Sequence, residues 1–310
     1  MPKNPLAEVF GYPVDNMSQD AINHRQGRLC PFHNPSGLNC TKNSATDPLG
    51  VCTIFEGDNL VVTCPVRLRQ DMKIVADAAK FFFPGMRYVA LTEARLKDKN
   101  GKSAGNIDIV IVALDDKDEI IDFGAVEVQA VYISGNVSKA FKAYMRNPAA
   151  NYTMEWPRKN YPSPDYLSSS RKRLAPQLIY KGGILHKWGK KMAVVVHKGF
   201  FDQLPRLKEV DESKAEIAWM IYDFQHDAIS NRYMLERRDV KYTKFKSALT
   251  TITTPTVGDM ADFLKYLKKR VRERKITGSP PPLEVPPEIE PLPELFEEDT
   301  IDENEFAEDE

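Results

Sequence analysis

The sequence predicts a mixed α/β domain, and three observations carry that prediction. An apolar pattern of helical period opens the central region, three strand-like runs follow it, and a further helix and two buried strand-like runs come next. In order, Asp71 to about Phe83 reads as a helix, with Met72, Val75, Ala76, Ala79 and Phe83 near helical spacing and Pro84-Gly85 to stop it. Arg87–Leu96, Asn106–Leu114 and Ile120–Ile133 read as strands, separated by turn-rich stretches at Lys97–Ala104 and Asp115–Asp118. Ser138 to Met145 reads as a short helix, and a Pro/Tyr/Ser-rich loop covers Asn147 to Ser170. A helix then starts near Ser170, with Gly182-Gly183 as its expected end. Lys191–His197 and Glu216–Phe224 complete the core as strands. The last helix is expected from Thr256 as N-cap, with Asp259 three residues on and Phe263, Leu264, Leu267 and Val271 as its apolar stripe.

Around this core the composition divides the chain. Residues 1–69 contain every cysteine and are rich in loop residues; 70–278 hold the α/β core; 279–310 form a Pro-rich, then acidic, tail expected to be disordered. There are no internal repeats. The tail carries thirteen acidic residues and no Lys or Arg, so the other 278 residues carry +12 although the whole chain carries −1. A body this basic calls for a polyanionic partner, most simply double-stranded DNA. The tail reads as solubilising, with mimicry of DNA as the sharper alternative. Apolar runs such as Met192–Val196 are too short to span a bilayer, and the N-terminus lacks a signal-peptide pattern, so a cytoplasmic protein without membrane contact is expected.

The chemistry concentrates between Glu93 and Gln129. Asp108 interrupts the apolar run Ile107–Val112, and Glu127 and Gln129 interrupt Gly124–Ala130. Side chains two apart on a strand share a face, so Glu127 and Gln129 point the same way, and Asp108 on a neighbouring antiparallel strand can meet them. Ionised carboxylates in apolar strands are costly unless paired or metal-bound, and two that converge suit Mg²⁺. Glu93, on the preceding strand, is a candidate extra ligand or base. The pattern resembles the PD-(D/E)xK nuclease core, with Asp108 as the first metal carboxylate and Glu127-Val128-Gln129 as the second element. The proline of that pattern is missing, and Gln129 stands where a lysine is expected. A lysine there would orient water and stabilise charge; a glutamine can only orient.

Cys30, Cys40, Cys52 and Cys64 fall within one short segment at spacings of nine, eleven and eleven residues. Four thiolates can bind zinc or iron tetrahedrally, and a closed set of four suits a structural rather than a catalytic metal. His33, His186 and His197 read as structural, because metal-assisted hydrolysis needs no histidine, and Trp156, Trp188 and Trp219 read as core or loop anchors.

The whole chain supplies a resemblance. NPLAEVFGYP, LCPF, NCTKNS, DPLGVCTI and VTCPVR in the first segment, and RLAPQLIYKGGIL with WGKKMAVVV near residues 173–196, are similar to NotI/EagI-type type II restriction endonucleases, over approximately residues 5–270. That resemblance implies a Mg²⁺-dependent nuclease in which glutamine at position 129 is the normal residue. It implies that the four cysteines hold iron in a rubredoxin-like centre, with zinc as the alternative. It further implies a homodimer that cuts both strands of a GC-rich palindrome containing GGCC, leaving 5′-phosphate and 3′-hydroxyl ends.

Arg171, Lys172 and Arg173 sit at the expected start of a helix, and Gln177 and Lys181 follow at helical spacing from Arg173. These five are the candidate DNA contacts, since Arg and Lys can read guanine in the major groove or hold phosphates. Lys187, Lys190 and Lys191 are further phosphate candidates. Two other readings accompany the restriction endonuclease: a non-catalytic DNA-binding protein, which binds without cutting, and a structure-specific repair nuclease, which cuts branched or damaged DNA.

Overall fold

The computed structural model describes residues 3–33 and 37–276, with the backbone alone at 274–276. These fall in two units, Met1–Pro255 and Thr256–Glu310. The tail expected at 279–310 lies outside the described residues.

The first unit opens with six short strands: β1 (Leu6–Val9), β2 (Tyr12–Pro13), β3 (Leu29–Cys30), β4 (Leu38–Asn39), β5 (Val51–Glu56) and β6 (Asn59–Val62). β2-β1-β5-β6 form an antiparallel sheet, and β3 pairs with β4. A helix over Gln19–Gly27 separates β2 from β3. Ser18 caps its start by accepting from the Ala21 amide, and Arg28 in the left-handed region ends it.

The central sheet has six strands: β7 (Arg87–Lys97), β8 (Ser103–Leu114), β9 (Ile120–Gln129), then, past a two-stranded ribbon of β10 (Tyr132–Ser134) and β11 (Ser163–Asp165), β12 (Met192–His197), β13 (Ile217–Asp227) and β14 (Arg232–Thr243). The order is β14-β13-β12-β9-β8-β7. β9, β12 and β13 run parallel, while β7, β8 and β14 join antiparallel, so the sheet is mixed as expected. The strand expected to reach Ile133 stops at Gln129. There the chain turns away, and the Val131 amide donates to Val62 O of the N-terminal sheet at 2.8 Å.

Each face of the sheet buries its own apolar set. The helix Lys73–Phe82 covers one face with Ile74, Val75, Ala78 and Phe82, against Ile109, Ile111, Val126 and Val128. The other face (Val110, Val112, Val194, Trp219) packs with the helix Val137–Arg146, the helical stretch 166–187 and the N-terminal sheet. The N-terminal segment is clasped to this body by Arg67, which is fully buried. Its guanidinium makes a two-pronged pair with Glu8 (Nε–Oε2 2.7 Å, NH2–Oε1 3.0 Å), donates to Tyr233 O at 2.6 Å, and lies between the rings of Phe32 and Phe224.

Two helices end or begin differently from expectation. The stretch 166–187 runs through Gly182-Gly183, because Gly182 serves close packing there: a Cβ would fall 2.7 Å from the Phe245 ring. In the second unit the helix Met260–Ile276 is capped by Asp259, which accepts from the Ala261 amide at 2.7 Å, rather than by Thr256. Among the described residues no helix is long and apolar enough to cross a membrane.

Candidate active site

β8 and β9 pair from Leu114/Ile120 up to Ile109/Val126 and then part. Beyond that point β8 stays with β7, as Ala94 opposite Ile107 shows, while β9 stays with β12, as Glu127 opposite Val194 and Gln129 opposite Val196 show. The sheet forks at Asp108 and Glu127. Asp108 closes the fork with its side chain: Oδ2 accepts the Val128 amide at 2.7 Å, the hydrogen bond that a continuing β8 backbone would have taken.

Glu127 is fully buried and Gln129 nearly so, and both point to the face that packs with the 166–187 helix. Burial, and then the neighbouring Asp108 charge, push the Glu127 carboxyl up to about 8, against the opposing pull of Lys181. Burial also raises the Asp108 carboxyl. Glu127 Oε2 accepts from Lys181 Nζ at 2.7 Å, while Oε1 is buried with no hydrogen-bond partner. A buried carboxylate oxygen left bare beside a second carboxylate suits a hard divalent cation, which takes oxygen ligands and replaces the missing donor. Asp108 and Glu127 are the two side chains that could hold it. Among the described residues no group of three or more His, Cys, Asp or Glu side chains is gathered to hold a metal.

From the helix, Lys181 meets Glu127 and Gln177 meets Gln129; the sequence placed Lys181 and Gln177 among the DNA contacts. The structure turns both inward. The Gln129 carboxamide donates to that of Gln177, and Lys181 is only 6% exposed. Arg173, which shares their spacing, stays exposed over the Tyr132 ring, and Arg171 and Lys172 are exposed beside it. The helix changes phase between them. It contains two widened π turns, Ser170–Leu174 and Leu178–Gly182, marked by the Ala175 amide bonding to Ser170 O and the Gly183 amide to Leu178 O. Pro176 lacks a donor and its ring crowds the carbonyl four residues back, so a widened turn accommodates it. A proline inside the helix was the sequence signal for this shift.

Glu93 lies at the rim rather than in the fork. Its side chain is 60% exposed and sits 3.6 Å from Arg69 NH2, and its backbone has φ +55° within β7. Its charge and that of Arg69 both reach Asp108, in opposite senses. Lys190 pairs with Asp122 at 2.5 Å and Lys191 lies over the Phe81 ring. His186 pairs with Glu216 and stacks on Phe245; His197 pairs with Asp223. Trp219 is buried in the core, whereas Trp188 is half exposed with an edge contact to Phe123.

The four cysteines are free and buried. Burial pushes the Cys30 thiol up to about 11 and raises Cys40 and Cys52, and the charge of Cys64 adds to the shift at each of the three, but among the described residues the four do not form a group placed to hold a metal ion. Cys64 precedes the 3-10 turn Pro65–Met72 that carries Arg67 and Arg69.

Fold and site together define a mixed α/β protein whose central sheet forks around a pair of carboxylates. The family described as restriction endonuclease NotI matches residues 8–235, a span that includes the four cysteines, the fork and the inward face of the 166–187 helix. The chain belongs to the NotI restriction endonuclease family, and by that membership it is a type II restriction endonuclease, a hydrolase that acts on DNA. A search among curated proteins found no match.

Proposed function

We propose that this enzyme hydrolyses both strands of DNA with Mg²⁺ held by Asp108 and Glu127. The observation that carries the reading is the bare, buried Oε1 of Glu127 beside Asp108 at the fork of the sheet. When bound, Mg²⁺ supplies polarisation of the scissile phosphate and acidifies the attacking water. The chain's own residues do the rest. Asp108 is fixed by the Val128 amide, Glu127 by Lys181, and Gln129 by Gln177, so the three side chains of the fork are held before DNA arrives. Water bonds to phosphorus as the bond to the 3′-oxygen breaks, which leaves 5′-phosphate and 3′-hydroxyl ends. The exposed Arg171, Lys172 and Arg173 are the DNA contacts of this reading.

The finer assignments rest on resemblance to the family. They are a GC-rich palindrome containing GGCC, a homodimer that presents one fork to each strand, a cytoplasmic location, and iron, or zinc, in the four-thiol segment. Four buried thiols are the donor chemistry a soft metal takes, but among the described residues they do not stand as a group placed to hold one, so the metal of this segment rests on the resemblance alone. Glu93, exposed at the rim, serves as an outer group near Asp108.

The test is a digest of plasmid and phage DNA with Mg²⁺ and with EDTA, with the fragment ends sequenced and the purified protein's metals measured. Discrete fragments at one palindrome, formed with Mg²⁺ alone, are expected. Intact DNA in every condition, with gel-shift binding retained, would refute the nuclease reading in favour of a non-catalytic DNA-binding protein.

A further inference from the structure

We propose that Lys181, carried on the helix and not on β9, is the catalytic cation of the fork. This inference rests on the nuclease reading above and adds the residue that reading lacks. Position 129, two residues past Glu127 on the same face of β9, holds a neutral glutamine whose carboxamide is engaged with Gln177. An ammonium nonetheless reaches the fork. Lys181 Nζ lies 2.7 Å from Glu127 Oε2, with the lysine side chain 8% exposed and that of Glu127 fully buried.

Several features bring it there. The π turn Leu178–Gly182 contains Lys181 and sets its phase toward the sheet. Lys181 passes close over Gly105 of β8, where a Cβ would fall 3.2 Å from Lys181 Cε and where φ is +106°. A glycine at that point of the strand leaves room for the stem and takes a left-handed backbone conformation that a side chain would strain. Enclosing a lysine at this depth costs free energy that the pair with Glu127 has to offset, and a methionine of similar length would fill the same space without a charge to desolvate. The ammonium has three N–H groups, and Glu127 takes one.

The chemistry needs such a group. Hydrolysis brings an anionic phosphodiester to two carboxylates and adds negative charge to the phosphate oxygens as the water oxygen bonds to phosphorus and the 3′-oxygen leaves. A fixed ammonium beside Glu127, with donors to spare, opposes that charge at no cost of reorganisation. Gln129 then acts by positioning. Through Gln177, one helical turn before Lys181, it holds the helix at the distance that keeps the ammonium in the fork.

The experiment compares wild type, Lys181→Met, and the double variant Lys181→Met with Gln129→Lys. Three quantities are read for each: single-turnover cleavage in Mg²⁺, binding of the same DNA in Ca²⁺, and the melting temperature. Lys181→Met is expected to cut at least about 100-fold more slowly while binding within a few-fold of wild type, since removing one preorganised donor costs ~100- to 1,000-fold in rate. The double variant, which returns a lysine to the same face of β9, is expected to recover at least tenfold over Lys181→Met. Should Lys181→Met give little folded protein, the double variant decides: folded and cutting, it supports the proposal; folded and inactive, it overturns it. Lys181→Met cutting at the wild-type rate overturns it too. So does a loss of cutting that merely follows a loss of fold or of Ca²⁺-supported binding, with no recovery in the double variant. If wild type itself cuts no DNA in Mg²⁺, the nuclease reading falls; if wild type cuts and Lys181→Met cuts equally, only the role of Lys181 falls.

Discussion

Replacing Arg67 with methionine should destabilise the Met1–Pro255 unit severely while leaving the fork's own residues untouched. Arg67 and Glu8 are both fully buried, and their two-pronged contact is joined by a bond from Thr53 to Glu8 at 3.1 Å and from Arg67 NH1 to Gln70 at 2.9 Å. Arg67→Met leaves the Glu8 carboxylate uncompensated in the interior and takes the donor from Tyr233 O. Breaking one side of a buried pair costs about 3–5 kcal/mol. Glu8→Leu should cost a similar amount, because it strands the guanidinium. The double variant removes both charges at once, so its loss should fall short of the sum of the single losses by at least about 2 kcal/mol. In a unit of this size each kcal/mol moves the melting temperature by roughly 2–4 °C, so each single variant should melt about 6–20 °C lower. Urea titrations of the four proteins give the free energies directly. Single variants within about 1 kcal/mol of wild type, or losses that simply add, would refute the claim that Glu8 holds the buried Arg67 through which the N-terminal segment meets Tyr233 and Phe224.

Three further outcomes follow from the site. Glu127→Ala should bind specific DNA in Ca²⁺ nearly as wild type does and lose cutting in Mg²⁺; cutting near the wild-type rate would place the metal elsewhere. The Glu127 carboxyl, at about 8 against an ordinary 4.5, binds its proton more tightly when folded, so its stabilising contribution is complete below pH 4.5 and is lost as pH rises through 8. Metal-free protein should therefore weaken across that window, by roughly 5 kcal/mol at most, and Mg²⁺, which displaces the proton, should bind up to about tenfold tighter for each unit by which pH rises toward 8; calorimetry at pH 6.5, 7.5 and 8.5 showing no trend would contradict this. Cys40→Ser should lower folded yield or alter DNA binding and deplete bound iron or zinc, whereas a folded, metal-free and active variant would dispose of a structural metal.

The strands of the site were legible because period-two alternation states which side chains share a face. Asp108, Glu127 and Gln129 stand out in apolar runs for that reason, and the structure brings Asp108 and Glu127 together at the fork and seats Gln129 on the same face as Glu127. The strand β14 was missed because its sequence, RYMLERRDVKYT, is rich in charge, as edge strands are, and only Leu235 and Thr243 in it are buried. The helix Phe245–Thr253 was missed because FKSALTTIT is dense in β-branched residues that favour helix weakly. Glu8 and Arg67 carry no local signature, since their partnership spans 59 residues and exists only once β1 meets the 3-10 turn that follows β6.

Lys181 was the costliest misplacement, and its cause is geometric. Projected on a regular helix, Arg173, Gln177 and Lys181 fall on one stripe, so an exposed arginine implies an exposed lysine. The two π turns break that inference: one helix shows Arg171, Lys172 and Arg173 outward and, a few residues on, presents Gln177 to Gln129 and Lys181 to Glu127. The neutral residue at 129 then needs no compensation along its own strand, because the charge it lacks arrives from across the sheet face. With Asp108 and Glu127 ionised, the fork carries two negative charges. Lys181 offsets one, and a divalent cation more than offsets the other, which leaves a net positive centre for an incoming phosphate. Without the ammonium, the same metal would only neutralise the carboxylates, and the phosphate would meet no net attraction. The position of Lys181, more than the identity of residue 129, sets the electrostatic balance of the fork.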